Sequence, residues 1–347
     1  MKAARPDRRS DAPLALVPPE RRDGVRAALA EAFGAASPTR LSPIAGGVSA
    51  QIYRTEVGGR DYLVRLERGR TALRDPERSF ACMQAAAHAG IAPRVLHADP
   101  ASAVAIMEFV HVQPLETFPG GPAALAAEIG RLLARVQRLP TFPAVGDYPT
   151  IVERMLAFVR GTGLFAPGLL DPHAEGMARI REAYPWDAAA LVSSHNDPNP
   201  RNILYDGERL WLIDWETAFR NDPLADIAIV TAEIAVTPEL EAALLDDWLG
   251  RSPDARTLAR LALIRPMTQL YYACLLLMAS AQAPRQAPHA DLQAPSLAEF
   301  RLAVAEGGLS PTGPKVLELL GKMQLAAFLA GVKAPGFEDA MALLRAG

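Results

Sequence analysis

The stretch Ser194-His195-Asn196-Asp197-Pro198-Asn199-Pro200-Arg201-Asn202-Ile203-Leu204-Tyr205-Asp206-Gly207-Glu208-Arg209-Leu210-Trp211-Leu212-Ile213-Asp214 decides how the rest of the chain is read. Asp197 stands five residues before Asn202, and a short apolar segment then delivers Asp214. That order suits phosphoryl transfer: one carboxylate orients an attacking hydroxyl, while an amide oxygen and a second carboxylate hold magnesium on the phosphates. Residues 203–205 read as a strand, Asp206-Gly207 as a tight primed turn, and 210–213 as the return strand. Asn202 and Asp214 then fall at the two open ends of one rigid ribbon, as neighbours in space.

Each part also has a plainer reading. A lone His-x-Asp is common, and His195 alone reads as a packed, hydrogen-bonded residue. Asp206-Gly207 alone says only hairpin, and an Asp before Trp can cap a strand. The joint pattern is far rarer than its parts, which favours the chemical reading.

Composition bounds the rest. At 347 residues the chain is long enough for two lobes, each with its own core. Half of the residues are apolar, 22% are charged and the net charge is −3, so there is no electrostatic footprint for nucleic acid. Lysine occurs only at Lys2, Lys315, Lys322 and Lys333, none of them where a kinase ordinarily uses one. Cys82 and Cys274 lie in apolar surroundings, which points to a reducing compartment rather than a disulfide framework. The N-terminus lacks a signal-peptide core, and the longest apolar run, 270–281, is too short to span a bilayer. The expectation is a cytoplasmic protein with no membrane or nucleic-acid partner. A homodimer is among the assemblies open to it.

Three divisions follow: a poorly ordered leader at 1–17, an N-terminal nucleotide-binding lobe at 18–110, and a C-terminal catalytic and substrate-binding lobe at 111–347. In the first lobe, 18–33 reads as a helix. Residues 41–45, 50–57, 62–66 and 103–109 read as strands and 76–89 as a helix ending at Gly90, a small sheet with one helix. The second lobe is helical at 122–139, 151–160, 174–183, 226–235, 238–249, 256–281, 314–329 and 337–345, with Pro266 expected to kink or interrupt its helix. Residues 281–295 read as a loop.

Upstream residues complete the site. Gly46, Gly47 and Ser49 lie between the first two strands, where paired glycines let backbone amides approach phosphate oxygens; alone, two glycines mark any hairpin. Arg65 sits among apolar residues on the third strand and needs a partner or a ligand. Glu77, opening the next helix, is the candidate partner. The alternative is an exposed Arg65 with Glu77 favoured by the helix dipole. Glu108 and Val110 end a strand at the lobe junction, where their backbone groups can face an adenine edge.

These motifs resemble the aminoglycoside phosphotransferase and choline kinase superfamily, which shares the two-lobed α+β architecture of protein kinases. The resemblance runs from about residue 42 to 235 and is most specific in 195–202 and 212–216. It implies an ATP- and Mg2+-dependent kinase of a small hydroxyl compound. Asp197 would be the catalytic residue, Asn202 and Asp214 the metal ligands, and Gly46, Gly47 and Ser49 the phosphate lining. His195 would brace the loop, and Asp226 would support it (Asp226 also reads as a helix N-cap). Arginine at position 65 and the Ile213-Asp214-Trp215-Glu216 order resemble the choline kinase branch. Glu216 would there suit a cationic acceptor such as choline, ethanolamine or thiamine. The Tyr271-Tyr272 stripe reads as core rather than as an aromatic cage. Aminoglycosides and sugars are the alternative acceptors. Two other readings are a nucleotide-binding protein without kinase activity, kept open by Arg65, and a metal-dependent hydrolase using His195 and Asp197. The latter ranks last because no second metal-spaced His/Cys group exists.

Overall fold

The computed structural model describes residues 14–34, 40–44, 50–71, 74–281, 287–307, 309 and 313–346. The helix α1 (Arg22–Phe33) is followed by three strands, β1 (Ser42–Ile44), β2 (Ala50–Val57) and β3 (Arg60–Glu67), then by α2 (Pro76–His88), β4 (Val95–Asp99) and β5 (Val104–Glu108). The strands form one antiparallel sheet in the order β1-β2-β3-β5-β4. Residues 46, 47 and 49, expected to line phosphates, lie outside the described residues.

Alternation along β5 explains why the sheet is covered on both faces. Val104 and Ile106 join Val25, Leu29, Val64 and Leu66 in a core under α1. Ala105 and Met107 point the other way and join Phe80 and Met83 of α2 in a core that runs on through the helical half of the molecule. Leu14 and Val17, placed by the sequence reading in a poorly ordered leader, are buried in the first of these cores. The sequence reading omitted β4, because His97 and Asp99 interrupt its apolar pattern.

Helix ends follow their local chemistry. Asp75 caps α2 by accepting the Glu77 N–H, with Pro76 in the first turn. Gly90 follows with a φ of 65°, a conformation that favours glycine. The helical half begins with α3 (Gly121–Gln137), α4 (Tyr148–Gly161) and α5 (Asp171–Ala183). Short strands β6 (Val192–Ser194), β7 (Ile203–Tyr205), β8 (Leu210–Leu212) and β9 (Phe219–Asn221) carry the motif, with β6 paired to β9 and β7 to β8. Five further helices follow before the last: α6 (Leu224–Glu233), α7 (Pro238–Leu249), α8 (Ala255–Ser280), α9 (Leu297–Ala305) and α10 (Pro314–Val332); α11 (Pro335–Arg345) is the last. The sequence reading did not include α9, whose capping box is formed by Ser296 and Glu299.

Two expectations are corrected. First, α8 continues unbroken through Pro266. The missing N–H is tolerated in a helix packed against α4, α6, α10 and α11. Gly331 of α10 lies so close that an added Cβ would stand 3.0 Å from the Pro266 ring. The same helix is long and apolar enough to cross a bilayer, yet 61% of its most apolar window is buried inside the protein, as a core helix requires. Second, the β7–β8 turn is centred one residue later than Asp206-Gly207. The Asp206 N–H donates to the Arg209 carbonyl at 3.2 Å, leaving Gly207 and Glu208 as the central pair. Gly207 takes a φ of 101°, the Gly-first form of a two-residue hairpin loop. Asp206 instead accepts the N–H groups of Glu208 and Arg209.

In the helical half α3 and α7 approach each other very closely. Gly130 of α3 faces α7, and a Cβ there would stand 2.3 Å from the Leu244 carbonyl oxygen. Gly130→Ala therefore forces α3 and α7 apart and is expected to destabilise the protein by about 1–3 kcal/mol, read as a lowered midpoint in chemical denaturation.

Candidate active site

The segment between β6 and β7 is held from behind. Asp226, fully buried in the first turn of α6, accepts the His195 N–H at 2.9 Å and the Asn196 N–H at 2.7 Å. Burial pushes its carboxyl up to about 6, and those two N–H groups pull the other way. Asn196 takes a left-handed φ of 63°, which asparagine tolerates better than most residues. Its side chain donates to the carbonyls of Thr217 and Phe219 and accepts from Asn221. The loop is thereby tied to both β9 and α6.

His195 is neutral and fully committed. Burial drops its pKa to about 4. Its Nδ1 accepts the Asp197 N–H, so Nε2 carries the proton and donates to the Ile213 carbonyl at 2.8 Å. The ring also packs edge-on against Trp215. With both nitrogens used, His195 is a brace and has no lone pair for a metal, which removes the basis of the hydrolase reading.

Asp197 stands at the front of this scaffold. Its Oδ1 accepts from Tyr272 at 2.5 Å and Asn199 at 2.7 Å, and its Oδ2 from Asn202 at 2.9 Å. Burial raises its pKa to about 6; the hydrogen bonds from Tyr272 and Asn199 oppose the rise, and the Asp214 charge adds to it. Asn202 spends its amide nitrogen on Asp197, which leaves its amide oxygen as the group available to a cation. The ribbon brings Asn202 and Asp214 together as the sequence reading expects: the Ile213 N–H donates to the Asn202 carbonyl at 2.9 Å. The ribbon is itself anchored by bonds from Leu212 to the Ile91 carbonyl and from Gln113 to the Tyr205 carbonyl. Asp214 takes a left-handed backbone, with φ 65° and ψ 68°.

Arg65 reaches this group from β3. It donates to Glu67 at 2.7 Å and to Asp214 at 2.7 Å, with Glu216 at 3.5 Å. Burial works against its charge, yet the carboxylates of Asp214, Glu67 and Glu216 hold its pKa above that of ordinary arginine. The expected Arg65–Glu77 pair is therefore corrected. Glu77 is exposed in the first turn of α2, and the carboxylate comes from Glu67, two residues along the same strand and on the same face. The residue that α2 turns inward is Arg78, which donates to the carbonyls of Ala218 and Glu216. Glu216, expected to face the acceptor, has Arg65 and Arg74 as its ion partners.

Arg65, Glu67, Asp214 and Glu216 line a cavity of about 250 Å³ between the sheet and the helical half. Ile52, Leu63 and Met107 form apolar walls, Glu108 and Val110 line one end, and Arg65, Asp214 and Glu216 line the other. Glu67, Asn199 and Arg78 carry no role in the sequence reading, and Tyr272, read there as core, places its hydroxyl on Asp197. A period-of-two scan from Arg65 finds Glu67; nothing local marks Tyr272.

A model of the family described as phosphotransferase enzyme family matches residues 40–264. Protein LicA of Haemophilus influenzae is 40% identical over 62 residues, a segment that is 18% of this chain and 23% of that protein. The chain thus spans only about a quarter of the length of this curated relative. A choline/ethanolamine kinase family protein from Mesorhizobium loti superposes with a TM-score of 0.67 at 21% identity, covering 94% of this chain and all of that one. Choline kinase LicA from Streptococcus pneumoniae superposes with a TM-score of 0.63 at 13% identity, covering 90% and 99%. At these identities the structural matches are likenesses of fold, the two-lobed α+β fold of kinases.

The loop's dependence on Asp226 is testable. Asp226→Ala leaves two buried N–H groups without an acceptor and is expected to cost about 2–5 kcal/mol. Asp226→Asn, which keeps one acceptor oxygen, is expected to cost less. Denaturant midpoints of the two variants check the order.

Proposed function

The chain belongs to the phosphotransferase enzyme family, and we propose that it moves the γ-phosphoryl group of ATP to a hydroxyl of a small molecule, with choline and ethanolamine as the acceptor class favoured. The observation that carries this reading is that the β7–β8 ribbon sets the hydrogen-bonded pair Asp197–Asn202 beside the ion pair Arg65–Asp214, whose members line an apolar cavity. The likeness of fold to choline and ethanolamine kinases supports the acceptor class.

ATP enters with its base between the apolar walls and its phosphates toward Arg65. The backbone groups of Glu108 and Val110 are the edge available to adenine. Gly46, Gly47 and Ser49 are proposed to cover the phosphates from the loop between β1 and β2. Asn202 and Asp214 offer hard oxygens, the donor chemistry magnesium prefers, and no His or Cys competes in that set. Bound there, magnesium would supply charge neutralisation on the phosphates.

Asp197 accepts the acceptor's proton as the acceptor oxygen attacks the γ-phosphorus. The bond from that phosphorus to the bridging oxygen breaks, and ADP leaves with the electron pair. Arg65 faces the negative charge that builds on the departing side, so positioning and electrostatics account for most of the rate gain. Glu67 and Glu216 hold the guanidinium in place. His195 and Asp226 hold the loop and exchange no proton with substrate.

The test is ATP consumption with choline, ethanolamine, thiamine, aminoglycosides and sugars as acceptors. Asp197→Ala is expected to lower turnover at least ~10²-fold, and wild-type turnover in that variant would end the assignment. Because the Asp197 pKa is raised to about 6, the carboxylate is lost as pH falls through that value. The kcat/KM profile is therefore expected to fall on the acid side of about 6, where an unshifted aspartate would hold to below 4.

A further inference from the structure

The hydrogen bonds on Asp197 divide its two oxygens unequally. A carboxylate has about four lone-pair sites. Oδ1 accepts from the Tyr272 hydroxyl and from Asn199, and among the described residues Oδ2 accepts from Asn202 alone. Asn199 and Asn202 belong to the same short loop as Asp197. They are linked to each other through the Asn202 N–H and the Asn199 carbonyl. Tyr272 comes from α8, 75 residues further along the chain. Its helix is fixed in the core: the neighbouring Tyr271 is almost wholly buried and packs on Tyr148.

We propose, on the reading that Asp197 receives the acceptor proton, that Tyr272 is a positioning residue for phosphoryl transfer: its hydroxyl pins Oδ1 and leaves one lone pair of Oδ2 for the acceptor hydroxyl. The loop donors alone move with the loop. Tyr272 references the carboxylate to the rigid helical core, which fixes the direction from which the acceptor oxygen must approach. Burial and the neighbouring Asp197 charge keep the phenol itself protonated far above neutral pH, so it remains a donor through the working range.

The experiment compares kcat and the KM values for ATP and acceptor in wild type, Tyr272→Phe and Asp197→Ala with the best acceptor from the screen. Thermal unfolding is recorded for each. Tyr272→Phe keeps the ring and removes one charge-assisted bond, so kcat is expected to fall about tenfold with KM for ATP unchanged. A second variant carries 3-fluorotyrosine at position 272, which keeps a donor of nearly the same shape, and is expected to restore kcat. That rescue separates donation from any loss of folding. An inactive Asp197→Ala with Tyr272→Phe at wild-type kcat would overturn the role of Tyr272 alone. A fully active Asp197→Ala would overturn the parent reading.

Discussion

Two backbone N–H groups ending on the one carboxylate of Asp226 are the constraint from which the site descends. A carboxylate stripped of water is costly, and these bonds offset only part of that cost, as its raised pKa records. The arrangement holds because Asp226 lies in the first turn of α6, near the positive end of the helix dipole, and α6 is itself packed against α8. Packing of apolar helices thus becomes orientation of a polar loop. The left-handed Asn196, the single tautomer of His195 and the placement of Asp197 follow from it in turn.

Charge shapes the other side of the cavity. Arg65 faces Glu67, Asp214 and Glu216, and Arg74 reaches Glu216 as well. Taking the partner of Arg65 from its own strand frees α2 from that duty. The inward residue of α2 becomes a cation, Arg78, which ties the helix to the backbone just after Asp214. Sheet and helical half are joined by ion pairs and carbonyl bonds at the place where substrate phosphates are proposed to lie.

Legibility in the sequence tracked the range of the interaction. The hairpin was readable because Gly207 and two short apolar runs act within ten residues, although the turn centre moved by one. Asn202 and Asp214 were readable as neighbours because a ribbon leaves its ends no other choice. The end of α2 at Gly90 and the bounds of α7 at 238–249 were readable because capping is local. β4 was not, since polar residues interrupt its apolar pattern and only pairing with β5 makes it a strand. Pro266 does not interrupt its helix for the converse reason: a local rule against proline yielded to the packing of α8.

The chain order alone determined a small strand-rich part followed by a long helical one and the motif from His195 to Asp214, and the resemblance of that motif to a known superfamily implied the two-lobed α+β phosphotransferase. Tertiary structure decided the partners. Whether Arg65 meets Glu77 or Glu67, and whether Tyr272 lies idle in the core or on Asp197, depends on how a strand face and a distant helix are set in space. Those choices turn on distances between segments up to 149 residues apart, and no local preference in the chain encodes them.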